Sequence, residues 1–151
     1  MQLSPHFTLE ALCKSEYALR NGIDNSTSDP AVIENLTRLA NRILEPVRAH
    51  YDMPFEPNSG YRCLTLNRAI GSQDTSQHIR GEAVDIEMPA TANYELALWI
   101  AQNLEFDQLI LEFYTPGVPS SGWVHVSLAA ANNRRQTLTI NKHQRLAGLV
   151  R

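Results

Sequence analysis

The side chains best suited to hold a metal or move a proton are few in this sequence, and two of them stand apart from the rest. The histidines are His6, His50, His78, His125 and His143. His6 lies in an N-terminal loop, His50 closes a helical pattern and His143 sits in a polar tail beside Lys142, settings that suit surface or capping histidines. His78 falls in Ser76-Gln77-His78-Ile79-Arg80-Gly81-Glu82-Ala83-Val84-Asp85, a loop that runs into a strand pattern. His125 is inside Trp123-Val124-His125-Val126-Ser127, a half-apolar strand in which an imidazole must be partnered or used. A histidine seven residues before an aspartate, across a glycine turn, can bring both side chains back to one point. A second histidine from a neighbouring strand would complete a three-ligand set. Two neutral imidazoles and a carboxylate suit Zn²⁺ and leave a fourth position open, as catalytic zinc requires. The same spacing also fits a buried His–Asp hydrogen bond that ties loop to sheet, and spacing alone favours that simpler arrangement. Cys13 and Cys63 stand fifty residues apart with no CxxC, and are expected as buried small hydrophobes rather than a disulfide. Neither is flanked by the His and Asn of a thiol nucleophile.

The elements that must position these groups follow from caps and periodicity. Thr8 before Leu9-Glu10-Ala11-Leu12 predicts a helix running to about Asn21-Gly22. Asp29-Pro30 opens a second helix in the expected cap-then-proline order. Its apolar residues Ile33, Leu36, Leu39, Ala40, Ile43, Leu44 and Val47 keep helical spacing to about His50. Residues 54–83 are broken by Pro57, Gly60, Gly71 and Gly81 into turns and short extended pieces. Ala83 to Met88 has the β-branched content of a strand, and Thr91 is placed to cap a third helix containing Leu96, Trp99 and Ile100. Gln108–Phe113, Trp123–Leu128 and Thr137–Ile140 are three further strand candidates. Helices first and strands second predict an α+β fold, with N-terminal helices packed on a small antiparallel sheet.

The 151 residues suit a single domain, 1–151. With 43% apolar and 19% charged residues, the chain is too apolar and too weakly charged for disorder. A net charge of −3 lacks the basic stripe of a nucleic-acid binder. No apolar run approaches the roughly 20 residues of a membrane span. The start, Met1-Gln2-Leu3-Ser4-Pro5-His6, lacks the basic and apolar stretches of a secretory signal.

Beyond spacing, the string Ser-x-His-x-x-Gly-x-Ala-x-Asp from Ser76 to Asp85 resembles the signature of the zinc D-alanyl-D-alanine metallopeptidases of peptidoglycan. Asn58-Ser59-Gly60-Tyr61-Arg62, followed by Leu66-Asn67, is similar to that family's Ser-Gly-Tyr-Arg element. Gly122-Trp123-Val124-His125-Val126-Ser127 resembles the stretch that supplies its last metal ligand. His6-Phe7-Thr8-Leu9-Glu10 and Leu44-Glu45-Pro46-Val47-Arg48 resemble the compact phage and prophage branch, which includes endolysins. The resemblance covers nearly the full length. It implies the fold shared by hedgehog and D-Ala-D-Ala-peptidase domains, with a single zinc ion held by His78, Asp85 and His125. It also implies that Arg62 contacts the substrate's carboxylate or peptide carbonyl, chemistry that a planar guanidinium performs well. Ser76 would hydrogen-bond near the metal or substrate, and Gly81 and Ala83 would keep the space beside the ligands small.

One departure from the pattern concerns the general base. Several branches place it two or three residues before the final His, where this chain has Trp123 and Gly122, and neither can take a proton. A base is still needed for the attacking water and the leaving amine. Glu112 is the candidate: Gln108, Ile110 and Glu112 share one strand face, and antiparallel pairing with Trp123–Leu128 would set Glu112 across from His125. Gln108 would orient substrate or Glu112. A solvated strand glutamate is the alternative for Glu112, and Glu82 and Glu87 are weaker candidates for the base.

These readings converge on a monomeric zinc peptidase hydrolysing an amide bond in peptidoglycan stem or cross-link peptides, as carboxypeptidase or endopeptidase, with no nucleic-acid partner. A chain made in the bacterial cytoplasm without a signal would reach the wall through holin-type release, as in phage lysis, or as part of a tail. The alternatives are a non-catalytic, metal-containing wall-binding or phage structural module on the same scaffold, and a metal-free protein in which His78, Asp85 and His125 form a structural network.

Overall fold

The structure, a computed structural model, describes all 151 residues. They group into two compact units, Met1–Val84 and Asp85–Arg151. The class is α+β, as expected, and no helix is long and apolar enough to cross a membrane.

In Met1–Val84, the Thr8 hydroxyl accepts from the Ala11 N–H and starts α1 (Leu9–Leu12). The helix expected to run on to Asn21 instead stops after one turn. The Leu12 carbonyl, which would have to accept from residue 16, takes the Tyr61 N–H at 2.8 Å. Ser15 then caps a separate helix, α2 (Glu16–Arg20), through Ala18 N–H. A side chain at position 60 would run into the Leu12 carbonyl, so Gly60 is what lets this loop close on α1.

The Asp29 side chain caps α3 (Pro30–Leu39) as its sequence announces. The axis continues through a π-helical turn, Ala40–Leu44, into α4 (Glu45–Tyr51). Pro46 offers no N–H and its ring crowds the preceding turn, so the ladder widens there, with Glu45 N–H reaching Ala40 O. Leu36, Leu39, Ala40, Ile43, Leu44 and Val47 are all buried as the periodicity requires, with Val32 buried in place of Ile33. After α5 (Leu64–Ala69), a 3₁₀ turn at Gln77–Arg80 leads to β1 (Ala83–Ile86). Gly81 has φ +73° and a Cβ there would press on Val32 and Leu36 of α3. Its smallness therefore serves packing against α3.

In Asp85–Arg151, α6 (Asn93–Asn103) packs on β2 (Gln108–Glu112) and β3 (Trp123–Ser127). Thr91 does not cap α6: Ala92 is the cap residue, and the Thr91 hydroxyl donates to the Pro89 carbonyl. The sheet has order β1-β3-β2-β4-β5, where β4 is Gln136–Ile140 and β5 is Arg145–Ala147. It is mixed rather than purely antiparallel, because β4 runs parallel to β2, and β5 forms in what reads as a polar tail. Buried Asp107 explains the direction of β4. Its carboxylate accepts from the Arg134 backbone N–H at 2.9 Å and grips the Arg134 guanidinium at 3.0 and 2.8 Å, and its carbonyl takes Gln136 N–H. The chain is thus returned to the start of β2 before β4 begins.

Two stability predictions follow. Asn25 is buried and bonds the carbonyls of Cys13 and Tyr61 and the N–H of Cys63. Asn25→Ala strips three part-buried backbone groups of their partner and should lower unfolding stability by about 3 kcal/mol, read from urea denaturation. Gly122 has φ +63°, and a Cβ there would collide with the Glu112 carbonyl. Gly122→Ala should cost at least about 2 kcal/mol by the same measurement, from left-handed backbone strain plus that collision.

Candidate metal centre and substrate-facing residues

His78 is buried and fixed from two sides. Its turn begins at Ser76, whose hydroxyl accepts the His78 N–H at 3.3 Å. Its ring Nδ1 lies 2.7 Å from the Gly60 carbonyl. A carbonyl can only accept, so Nδ1 carries the proton; in a neutral ring that leaves the lone pair on Nε2, the arrangement usual in a metal-binding histidine. The His78 carbonyl in turn accepts from Arg62 N–H at 3.1 Å. The Ser-Gly-Tyr-Arg segment and the His78 turn therefore interlock through backbone and ring together.

Asp85 lies in β1 and His125 in β3, and His125 Nδ1 sits 3.1 Å from Asp85 Oδ1. That separation suits a hydrogen bond. It is also close to the roughly 3.3 Å edge of a tetrahedron with metal–ligand bonds of about 2.0–2.1 Å. His78, Asp85 and His125 could hold a metal ion: each offers one ligand atom, and the three atoms lie within 4.8 Å of one another. The donor set fits zinc, which takes imidazole nitrogen and carboxylate oxygen readily, whereas calcium and magnesium prefer an all-oxygen shell.

Arg62 is held rather than loose. Its Nη1 donates to Asn67 Oδ1 at 2.9 Å and its Nε to Ser59 Oγ at 3.3 Å. Asn67 is fully buried and anchored to the Gln73 carbonyl through its own amide at 2.8 Å. Both asparagines, Asn25 and Asn67, matter more than their residue type announces. Asn67 stands in the resembled motif without an assigned task, and Asn25 reads as part of a polar turn, since its partners lie 12 to 38 residues away.

The β2–β3 register pairs Ile110 with His125 and Glu112 with Trp123. Glu112 therefore does not lie directly across from His125. It is one pair further along, on the same face, at a diagonal distance of roughly 7–8 Å between backbones. The face is as expected and the position is displaced by two residues. Gly122 leaves no room for any acidic side chain beside the Glu112 carbonyl, and Trp123 stacks on Phe113 at 5.3 Å. Gln108 lies on the same face, and its amide donates to Gln136 Oε1 at 2.8 Å. Of the weaker candidates, Glu82 is engaged by Arg80 and Glu87 accepts from Asn93 at 3.4 Å.

The remaining histidines lie outside this cluster. His6 and Ser4 both bind the Glu45 carboxylate, at 2.7 and 2.6 Å, which pins the N-terminal segment to α4 and holds the Glu45 carboxyl below its usual range despite partial burial. His50 packs edge-on against Tyr51, and His143 is exposed. Both cysteines are free and only half-buried. Burial, with Glu10 nearby, pushes the Cys13 thiol up to about 11, so it is a poor nucleophile at neutral pH. Cys63, instead of filling the core, accepts the Leu66 N–H and caps α5.

A search of curated proteins finds no match. The family model described as Peptidase M15 matches residues 5–127, a span that takes in the Ser-Gly-Tyr-Arg loop, the His78 turn, β1 and the whole of β3. The chain belongs to the peptidase M15 family.

Proposed function

We propose that this metallopeptidase is a zinc enzyme that hydrolyses an amide bond in the stem or cross-link peptides of peptidoglycan. The observation that carries this reading is the donor set of His78, Asp85 and His125 within a family of metal-dependent peptidases. When bound there, zinc supplies Lewis-acid polarisation of the scissile carbonyl and makes a water more acidic. The rest falls to the chain's own residues. The Arg62 guanidinium, held in one orientation by Asn67 and Ser59, binds a substrate carboxylate or peptide carbonyl. Glu112 accepts the proton of the attacking water at its carboxylate and returns it to the leaving amine. Its place on the His125 face of the sheet, within a long side chain's reach, supports that role. Ser76 acts by fixing the His78 turn, and Gln108, braced by Gln136, flanks the substrate along the β2 face.

The two segments that resemble the phage and prophage branch are bonded to each other, His6 to Glu45, within the helical unit. Their resemblance to that branch, rather than this bond, is what points to a lysis role, with the wall reached after release from the bacterial cytoplasm and the chain acting as one monomeric catalytic domain. A second reading is a non-catalytic wall-binding module. Gly122 favours it, because no base fits where several family branches carry one.

His78→Ala should drop bound zinc from about one ion per chain to near zero and abolish release of amines from purified sacculi. Metal analysis beside a turnover assay, with and without chelator, checks both. Glu112→Gln should keep the metal and lower kcat by about 10²–10⁴. Near-normal turnover would remove Glu112 as the base, and zinc without any turnover in the unaltered chain would establish the binding-module reading.

A further inference from the structure

A cleft of about 540 Å³ opens in the helical unit beside Arg62, between α2 and the segment 56–59. This volume is in the range of small-ligand sites. Its charged lining consists of Arg62 and Lys14 on one side of the ledger and Glu56 and Glu16 on the other, with Tyr17 and Asn58 between. Two cations and two carboxylates cancel, so the cleft complements neither a polyanion nor a polycation. A group carrying both signs is its natural complement. The two cations also differ in kind. Arg62 is half-buried and fixed by Asn67 and Ser59, a preset carboxylate receiver. Lys14 meets Glu56 only loosely, at 3.7 Å, with both side chains more than 60% exposed. Such an exposed, loosely held pair contributes little, so a better-placed ammonium can displace Lys14.

We propose that this cleft is a subsite for a zwitterionic part of the substrate, in which Arg62 receives a carboxylate and Glu56 receives the side-chain ammonium of a diamino acid, displacing Lys14. The proposal rests on the peptidoglycan reading and names which stem peptides the site selects. Glu56 is a specificity residue, placed outside the set that handles the reacting bond.

The test uses binding, so that it stands apart from turnover. The full chain is titrated with a synthetic stem peptide containing lysine at the diamino position, and with the same peptide Nε-acetylated. The free-amine peptide should bind about tenfold more tightly, the worth of one charge-assisted contact. Glu56→Gln should reduce that preference to below about threefold. Lys14→Ala should tighten the free-amine peptide by about threefold, since it removes the competing cation. Opposite effects of these two exposed substitutions are not expected of a surface ion pair that only stabilises the fold. Equal binding of the two peptides, or full preference retained in Glu56→Gln, would overturn the proposal. Discrimination in binding without hydrolysis of either peptide would support the subsite and count against the peptidase reading instead.

Discussion

The pairing of the Gly60–Arg62 segment with the His78 turn is the interaction on which the rest of the helical unit's chemistry depends. One hydrogen bond, from His78 Nδ1 to the Gly60 carbonyl, sets the tautomer of the ring. A second, from Arg62 N–H to the His78 carbonyl, sets where the guanidinium begins. The His78 ring and the Arg62 guanidinium, proposed as metal ligand and substrate-binding cation, are thus placed by one short stretch of backbone, and a displacement of either moves both. Backbone-mediated placement has a physical advantage over side-chain contacts, because peptide groups have no rotamers to lose.

That pairing needs its own support, and the chain supplies it from distant segments. Tyr61 N–H ends α1 by taking the Leu12 carbonyl, and Gly60 allows the approach by having no side chain. Asn25 bonds three backbone groups around the same loop. Asn67 then grips the Arg62 head and is itself held by Gln73. Asn25, Asn67 and Leu12 are buried and Tyr61 and Arg62 half-buried, so these bonds also avoid leaving unsatisfied dipoles, which cost more than the bonds themselves contribute. The second unit ties its chain together through a sheet. Asp107 fixes the return of the chain through Arg134, and Gly122 closes the end of β2 on β3.

The geometry of β2 and β3 bears on the absence of an acidic residue just before His125. Gly122 is demanded by a positive φ and by the Glu112 carbonyl beside it. An acidic residue at this position would break the hairpin closure that carries Glu112. The acidic side chain on the His125 face comes instead from the neighbouring strand, as Glu112.

Much of this was legible in the sequence. The spacing of His78 and Asp85, the Asp29-Pro30 cap, the helical face from Leu36 to Val47 and the four main strands are local patterns, set by periods of 3.6 and 2 residues and by side chains bonding their own backbone. The face of Glu112 follows from the same alternation. What only the tertiary structure decided depends on partners distant along the chain. The β2–β3 register put Ile110, and not Glu112, opposite His125. The Asp107–Arg134 clamp made β4 parallel, and Tyr61, 49 residues beyond Leu12, cut the first helix short. Periodicity determines which way a side chain points from its own element. It carries no information about which carbonyl, dozens of residues away, will compete for a hydrogen bond, and that competition settled the details of this site.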